Sequence, residues 1–383
     1  MVRPYRKVAL QSTVAIGSLC LAAVILAARA EPQATTKPRL DRFNLLEFRD
    51  ESGEPRAVSS PQEWEERRAE IVAGMESVMG KFPEDRSRAT PAVEVKEEAD
   101  VGSYVRRLIA YQSEPNSVTP AYLCIPKSAL AGSPQAKPVP AVLCLHPTDN
   151  KVGHKVVVGL GGRAGRQYAA ELAELGFVTL SPAYPLLADY QPDLKKLGYE
   201  SGTMKAIWDN SRALDLLASL DFIDDSNGFG VIGHSLGGHN AIFTAVFDRR
   251  ITVLVSSCGF DSFLDYYDGA EQNWRAEKGW CQTRYMLKLA TYRGRLDQIP
   301  FDFPELVGAL APRRVFISAP KHDSNFRWKS VERCTAAARP VFRLLGSPDQ
   351  LTVRFPDCDH NFPEEIRKQS YRVIKSVLRR SQP

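Results

Sequence analysis

A short apolar run, Phe229–Ile232, leads directly into Gly233-His234-Ser235-Leu236-Gly237-Gly238 and then into a helix-length stretch ending at Phe247. A strand that turns at once into a helix is the compact solution for such a segment, and it puts Ser235 at the apex. Strand and helix backbones approach closely in that turn, so only glycine fits beside the apex. The pattern therefore implies a strand of a sheet opening at its carboxyl end onto a covering helix. It also gives Ser235 a chemical reading, as a hydroxyl lifted above the sheet edge and free to act as a nucleophile. The bland alternative is an ordinary Gly/Ser connection between two elements.

The surroundings agree with the sheet. Strand-like runs at Tyr104–Tyr111 and Pro120–Ile125 suggest an antiparallel start, followed by Val139–Leu145. A helix over Gln167–Leu175 stops at Gly176, and Phe177–Leu180 reads as strand. A helix over Met204–Leu220 precedes the Ser235 corner, whose own helix runs Gly237–Phe247, and Ile251–Ser256 reads as strand. Strand Arg314–Ser318, helix Val331–Leu345, strand Leu351–Phe355 and helix Glu364–Leu378 complete the chain. Strands alternating with helices of ten or more residues predict an α/β fold with a mostly parallel sheet covered on both faces. Upstream, Trp64, Ile71, Met75 and Val78 are spaced for a helix over Pro61–Gly80 that packs on the body, with Ser60 as its cap.

A serine nucleophile needs a base, and the base an orienting carboxylate. In this order of elements each partner follows a later strand. Asp323 follows Arg314–Ser318, and His360 follows the last strand as the only histidine after Asp323. Asp261, after the preceding strand, is the rival acid. Asp357 and Asp359 shape or solvate the His360 loop. Negative charge on the substrate carbonyl requires two backbone N–H donors. Leu236 supplies one; the other comes from His146-Pro147-Thr148, where proline has no N–H, so Thr148 is the donor and His146 a brace. Gly159–Gly165 has the wrong spacing and position for a dinucleotide loop, and is read as a site rim whose Arg163 or Arg166 could meet an anionic group. The insertion 261–312 holds Phe263, Tyr266, Tyr267, Trp274, Trp280, Tyr285 and Tyr292. It reads either as a cap whose aromatics stack on substrate or as packing against the body.

Charge and cysteines bound the partners. The formal net charge is +5, yet Arg3, Arg6, Lys7 and Arg29 fall among the first thirty residues, which hold no acid. Beyond them 46 basic residues face 45 acidic ones, without the excess that phosphate binding requires. Nucleic acid is excluded as the main partner. A basic start, an apolar run over Val14–Ala28 and Ala28-Arg29-Ala30 form the pattern of a secretory signal over residues 1–30, with an uncleaved anchor as the other reading. The expected destination is secreted or periplasmic, with no stable membrane partner after cleavage. Cys124, Cys144, Cys258, Cys281, Cys334 and Cys358 remain; there is no CxxC or Cys/His cluster for zinc, and any disulfide pairing stays open.

The stretches Cys144–Thr148, Gly233–Asn240, Ser256–Phe260, Ala319–Phe326 and Asp359–Pro363 carry a resemblance to the α/β-hydrolase superfamily over roughly residues 100 to 380. Within it the chain resembles the dienelactone-hydrolase-like and acetyl xylan esterase-like exported hydrolases of bacteria. It departs from dienelactone hydrolases in having Ser235 rather than a cysteine, and it lacks the propeller-sized N-terminal region of prolyl oligopeptidases. The resemblance implies hydrolysis of a carboxylic ester, an acylated carbohydrate or other small extracellular ester, through an acyl-enzyme without metal or cofactor. A peptidase or amidase would use the same residues, and a noncatalytic binding protein on this fold is the third reading. The expected division is a signal over 1–30, an extension with a packing helix over 31–100, and a catalytic domain over 101–383.

Overall fold

The computed structural model describes residues 39–83, 89–130, 132–133 and 137–379. The signal segment lies outside them. Among the described residues no helix is long and apolar enough to cross a membrane.

The chain enters through a two-stranded antiparallel ribbon, β1 (Glu47–Arg49) and β2 (Pro55–Ala57), followed by helix α1 (Pro61–Met79). Ser60 Oγ accepts the Glu63 N–H at 3.3 Å and Glu63 Oε2 accepts the Ser60 N–H at 2.9 Å. With Pro61 in the first turn, this reciprocal cap fixes where α1 starts. Trp64, Ile71, Met75 and Val78 form its buried stripe and join the main core.

Next come β3 (Val93–Asp100), β4 (Tyr104–Glu114), β5 (Ser117–Pro126), β6 (Ala141–Leu145), α2 (Tyr168–Glu174), β7 (Val178–Pro182) and α3 (Gly202–Ala218). The second half contributes β8 (Phe229–His234), α4 (Leu236–Phe247), β9 (Ile251–Ser257), α5 (Phe303–Gly308), β10 (Arg314–Ser318), α6 (Trp328–Leu344), β11 (Leu351–Arg354) and α7 (Glu364–Leu378). The strands form a nine-stranded sheet in the order β11-β10-β9-β8-β6-β7-β5-β4-β3. β3, β4 and β5 pair antiparallel, β5 meets β7 antiparallel, and from β7 to β11 every pairing is parallel. One face packs under α2 and α7, through residues such as Tyr168, Leu172, Phe362, Tyr371 and Ile374. The other carries α1, α3, α4, α5 and α6. α4 lies deepest, with every residue from Leu236 to Val246 buried.

One region differs from the sequence reading, and a second bears on a choice that reading left open. β3 pairs with β4 over Val93–Asp100, so the sheet begins before residue 101. Its sequence, VEVKEEAD, has no apolar alternation because nearly all of it is exposed. Backbone pairing rather than burial holds it. In the insertion 261–312, Phe263, Trp274, Trp280, Tyr266 and Tyr285 are all buried, joined to one another and to Phe243, Phe301 and Phe303 by edge-on and tilted ring contacts. Tyr267 is exposed and Tyr292 half-buried. The six described cysteines are all free thiols.

Candidate active site

Ser235 sits between β8 and α4 with φ 54° and ψ −121°, a strained conformation for a residue with a side chain. Its neighbours explain the glycines. A Cβ on Gly233 would lie 2.1 Å from the Gly237 carbonyl, and one on Gly237 would lie 1.9 Å from the Leu145 oxygen. The β8–α4 corner is thus pressed against the end of β6. The Ser235 N–H donates to the Ser257 carbonyl at 2.8 Å, tying the apex to β9.

The loops after β10 and β11 bring two more groups to this point. His360 Nε2 lies 2.9 Å from Ser235 Oγ, and His360 Nδ1 lies 2.9 and 2.8 Å from the two carboxylate oxygens of Asp323. Asp323 Oδ1 also accepts the N–H groups of Asn325 (2.8 Å) and Phe326 (3.2 Å), so the carboxylate is oriented by its own turn. The Asp323 side chain is 1% exposed and that of His360 18%. With Nδ1–H donated to Asp323, Nε2 is left as the acceptor facing the Ser235 hydroxyl. The three side chains form the hydroxyl–imidazole–carboxylate chain needed for nucleophilic catalysis.

The other histidines are set apart by burial. It pushes His146 down to about 4 and His154 and His239 to about 3, and holds His234 well below the usual imidazole range. Those four are neutral at neutral pH. His146 braces its loop, its Nε2 accepting the Tyr184 N–H at 2.9 Å and its Nδ1 lying 2.8 Å from the Pro147 carbonyl. His322 is exposed and its ring lies 2.7 Å from Asp357.

Residues 193–346, which include Ser235 and Asp323 but end before His360, match the family "Glucuronyl esterase, fungi". No curated protein sequence matches the chain. Among solved structures, a glucuronoyl esterase from Solibacter usitatus aligns with a TM-score of 0.69 at 20% identity, covering 89% of this chain and 98% of its own. A CE15 glucuronoyl esterase from Teredinibacter turnerae aligns with a TM-score of 0.65 at 17% identity, covering 86% of this chain and 88% of its own. A putative acetyl xylan esterase from Bacteroides fragilis aligns at 0.54 and 19%, covering 86% of this chain and 92% of its own. The fold is that of the α/β-hydrolases.

Within this α/β-hydrolase fold, Asp261 does not reach His360. Its Oδ2 accepts the Arg327 N–H at 3.1 Å, at the start of α6, while Oδ1 has no partner among the described residues. Burial holds its carboxyl well above the usual range. Leu236 is the first residue of α4, and no protein acceptor among the described residues takes its N–H or that of Thr148. The Thr148 hydroxyl lies 3.1 Å from Tyr285 OH, which links the loop after β6 to the insertion. From there Trp280 packs on Tyr285 and stacks on Phe326, whose ring lies 6.0 Å from that of His360. The insertion therefore walls one side of the site.

Gly159–Gly165 forms a turn-rich rim with positive φ at Gly159, Gly161, Gly162 and Gly165. Arg163 is exposed there, while Arg166 is buried and spends its donors on the His360 loop. Cys258 Sγ, the Asp323 carboxylate and a His360 nitrogen lie within 4.8 Å of one another, a grouping of metal-ligand type. The thiol donates instead to the Asn361 carbonyl at 3.3 Å, and burial holds it well above the usual thiol range, against the thiolate a metal needs. The links of Arg166 and Cys258 to residues 360 and 361 were not foreseen, because no sequence spacing joins residues so far apart in the chain.

Proposed function

We propose that the protein is a serine hydrolase of carboxylic esters, and that its substrate is a carbohydrate ester in which a uronic acid supplies the acyl group. The observation that carries the reaction is the Ser235–His360–Asp323 contact chain. The likeness of residues 193–346 to glucuronyl esterases supports the uronic ester. His360, oriented by Asp323, takes the Ser235 proton as Oγ attacks the ester carbonyl. The N–H groups of Leu236 and Thr148 receive the developing oxyanion. His360 then protonates the departing alcohol, and afterwards activates the water that frees the sugar carboxylate and restores Ser235. Every proton is carried by one imidazole. No step calls for a metal or a cofactor. The signal pattern over residues 1–30 supports a site of action outside the cytoplasm.

Hydrolysis of a benzyl ester of glucuronic acid, compared with release of acetate from acetylated xylan, tests the reading. Wild-type kcat/KM is expected to favour the glucuronate ester about tenfold or more, and Ser235→Ala to lose about three or more orders of magnitude on it. Release of acetate alone would place the acyl group on the sugar hydroxyl, as in an acetyl xylan esterase. Cleavage of peptide amides in preference to both esters would move the protein to the peptidases.

A further inference from the structure

His360 stands on neither a strand nor a helix. β11 ends at Arg354 and α7 begins at Glu364, so the imidazole hangs from the middle of an irregular connection. Its reach to Ser235 must come from what grips that connection. Three donors from three other parts of the chain do so on consecutive residues. Arg166, just before α2, donates from Nη2 to the His360 carbonyl at 3.2 Å and from Nη1 to Asn361 Oδ1 at 2.8 Å. The Cys258 thiol, after β9, donates to the Asn361 carbonyl at 3.3 Å. Arg367, on α7, donates from Nη1 to the Phe362 carbonyl at 2.8 Å.

The two arginines differ in one respect. Arg367 also makes a two-pronged contact with Glu171, at 3.0 Å from Nε and from Nη2, so its charge is neutralised and its role in packing α7 on α2 is accounted for. Arg166 is 3% exposed, and its hydrogen bonds among the described residues go only to an amide oxygen and a backbone carbonyl. A buried guanidinium without a carboxylate partner works against the stability of the fold. Such costs persist where a site needs the group. The planar fork of arginine fixes two acceptors at a set angle.

We infer that Arg166 is a positioning residue for His360, setting the imidazole within reach of Ser235 Oγ by clamping residues 360 and 361. The inference rests on the reading of Ser235 and His360 as nucleophile and base. Displacing a base by about 1 Å lowers the chemical step about a hundredfold without a matching change in substrate binding. Arg166 does not touch the reacting atoms.

The test uses the full chain with an activated aryl ester, comparing wild type, Arg166→Met, Arg166→Lys, Asn361→Ala and the Arg166→Met/Asn361→Ala double variant. Arg166→Met is expected to lower kcat about 10- to 100-fold with KM changed by no more than about twofold. Its thermal midpoint is expected to stay level or rise, because an unpaired buried charge has been removed. Arg166→Lys keeps the charge but loses the fork, and is expected to recover only part of kcat. Asn361→Ala is expected to lower kcat alone and to add little in the Met background, since both act through one contact. Wild-type kcat in both Arg166 variants overturns the role, as does a loss explained by a smaller folded fraction. Should Arg166→Met fail to fold, Arg166→Lys decides: reduced kcat at the wild-type midpoint supports the clamp, and wild-type kcat overturns it. Ser235→Ala run alongside separates the two ideas. An active Ser235→Ala overturns the site itself, whereas an inactive one beside unimpaired Arg166 variants overturns Arg166 alone.

Discussion

Ser235 holds φ 54° where most side chains avoid positive φ, at an expected cost of about 1–3 kcal/mol. The strain is sustained by the Ser257 carbonyl on its N–H and by glycines that let β6, β8 and α4 meet. Asp323 holds the imidazole of His360 by Nδ1, and on the proposed mechanism its part is orientation. Asp323→Asn is expected to leave the fold intact and lower kcat about 10³- to 10⁴-fold, because an amide can favour the wrong imidazole tautomer; steady-state rates and circular dichroism on the same sample check both halves. Asp261 behaves oppositely. Burial raises its carboxyl in the folded chain, so the folded state keeps a proton that the unfolded state has lost. Its stability contribution is full below the unfolded value of about 3.9 and disappears as pH rises through the folded value. Asp261→Asn carries no such penalty. Relative to wild type it is expected to gain nothing near pH 4 and to be more stable at pH 8. Urea unfolding at both pH values measures this, and a gain confined to the acid side contradicts it.

At the scale of elements, the segment before the sheet is joined to the insertion by buried ion pairs. Arg42 Nη1 meets Asp302 Oδ2 at 2.8 Å, while Arg39 and Arg67 both meet Glu305 at the start of α5. Glu305 and Asp302 also cap α5 reciprocally. Removing Glu305 leaves Arg39 without its carboxylate and Arg67 with Glu70 alone, both largely shielded from water. Glu305→Ala is therefore expected to destabilise by about 3–5 kcal/mol, against at most about 1 kcal/mol for Glu65→Ala, whose Arg249 pair is exposed. Equal losses in denaturant titrations would refute the ranking. The cap of α1 and the stripe Trp64–Val78 were legible in the sequence, since both are local and periodic. β3 was not, because an exposed edge strand leaves no hydrophobic alternation to read.

For the whole molecule, two cores on either face of one sheet take in four of the six described cysteines, and Cys258 is buried beside the site. None is bridged, and burial raises all six thiols. A reducing agent is thus expected to leave the thermal midpoint unchanged. Among these six, Cys358, the one partly exposed, should react first with a thiol reagent, as identified by peptide mass. Rapid native labelling of Cys334 or Cys144 would contradict this packing. The same packing keeps four of the six histidines neutral. His360 stays partly open to solvent, which suits the proton transfers proposed for it.

The succession of strands and helices from residue 104 onward, the tight corner at Ser235, and the loops on which Asp323 and His360 stand could all be read before any fold was known. Those features follow from periodicity, glycine placement and chain order, which act over a few residues or through topology. The choice between Asp323 and Asp261 as the neighbour of His360 needed the folded chain. Both follow strands, and their difference lies in which carboxylate the folded loops aim at the imidazole. The tertiary structure also decided that most of the insertion's aromatics serve packing, and that Arg166 and Cys258 grip the His360 loop. Contacts between residues a hundred or more positions apart depend on where a fold brings them, and local pattern carries no record of that.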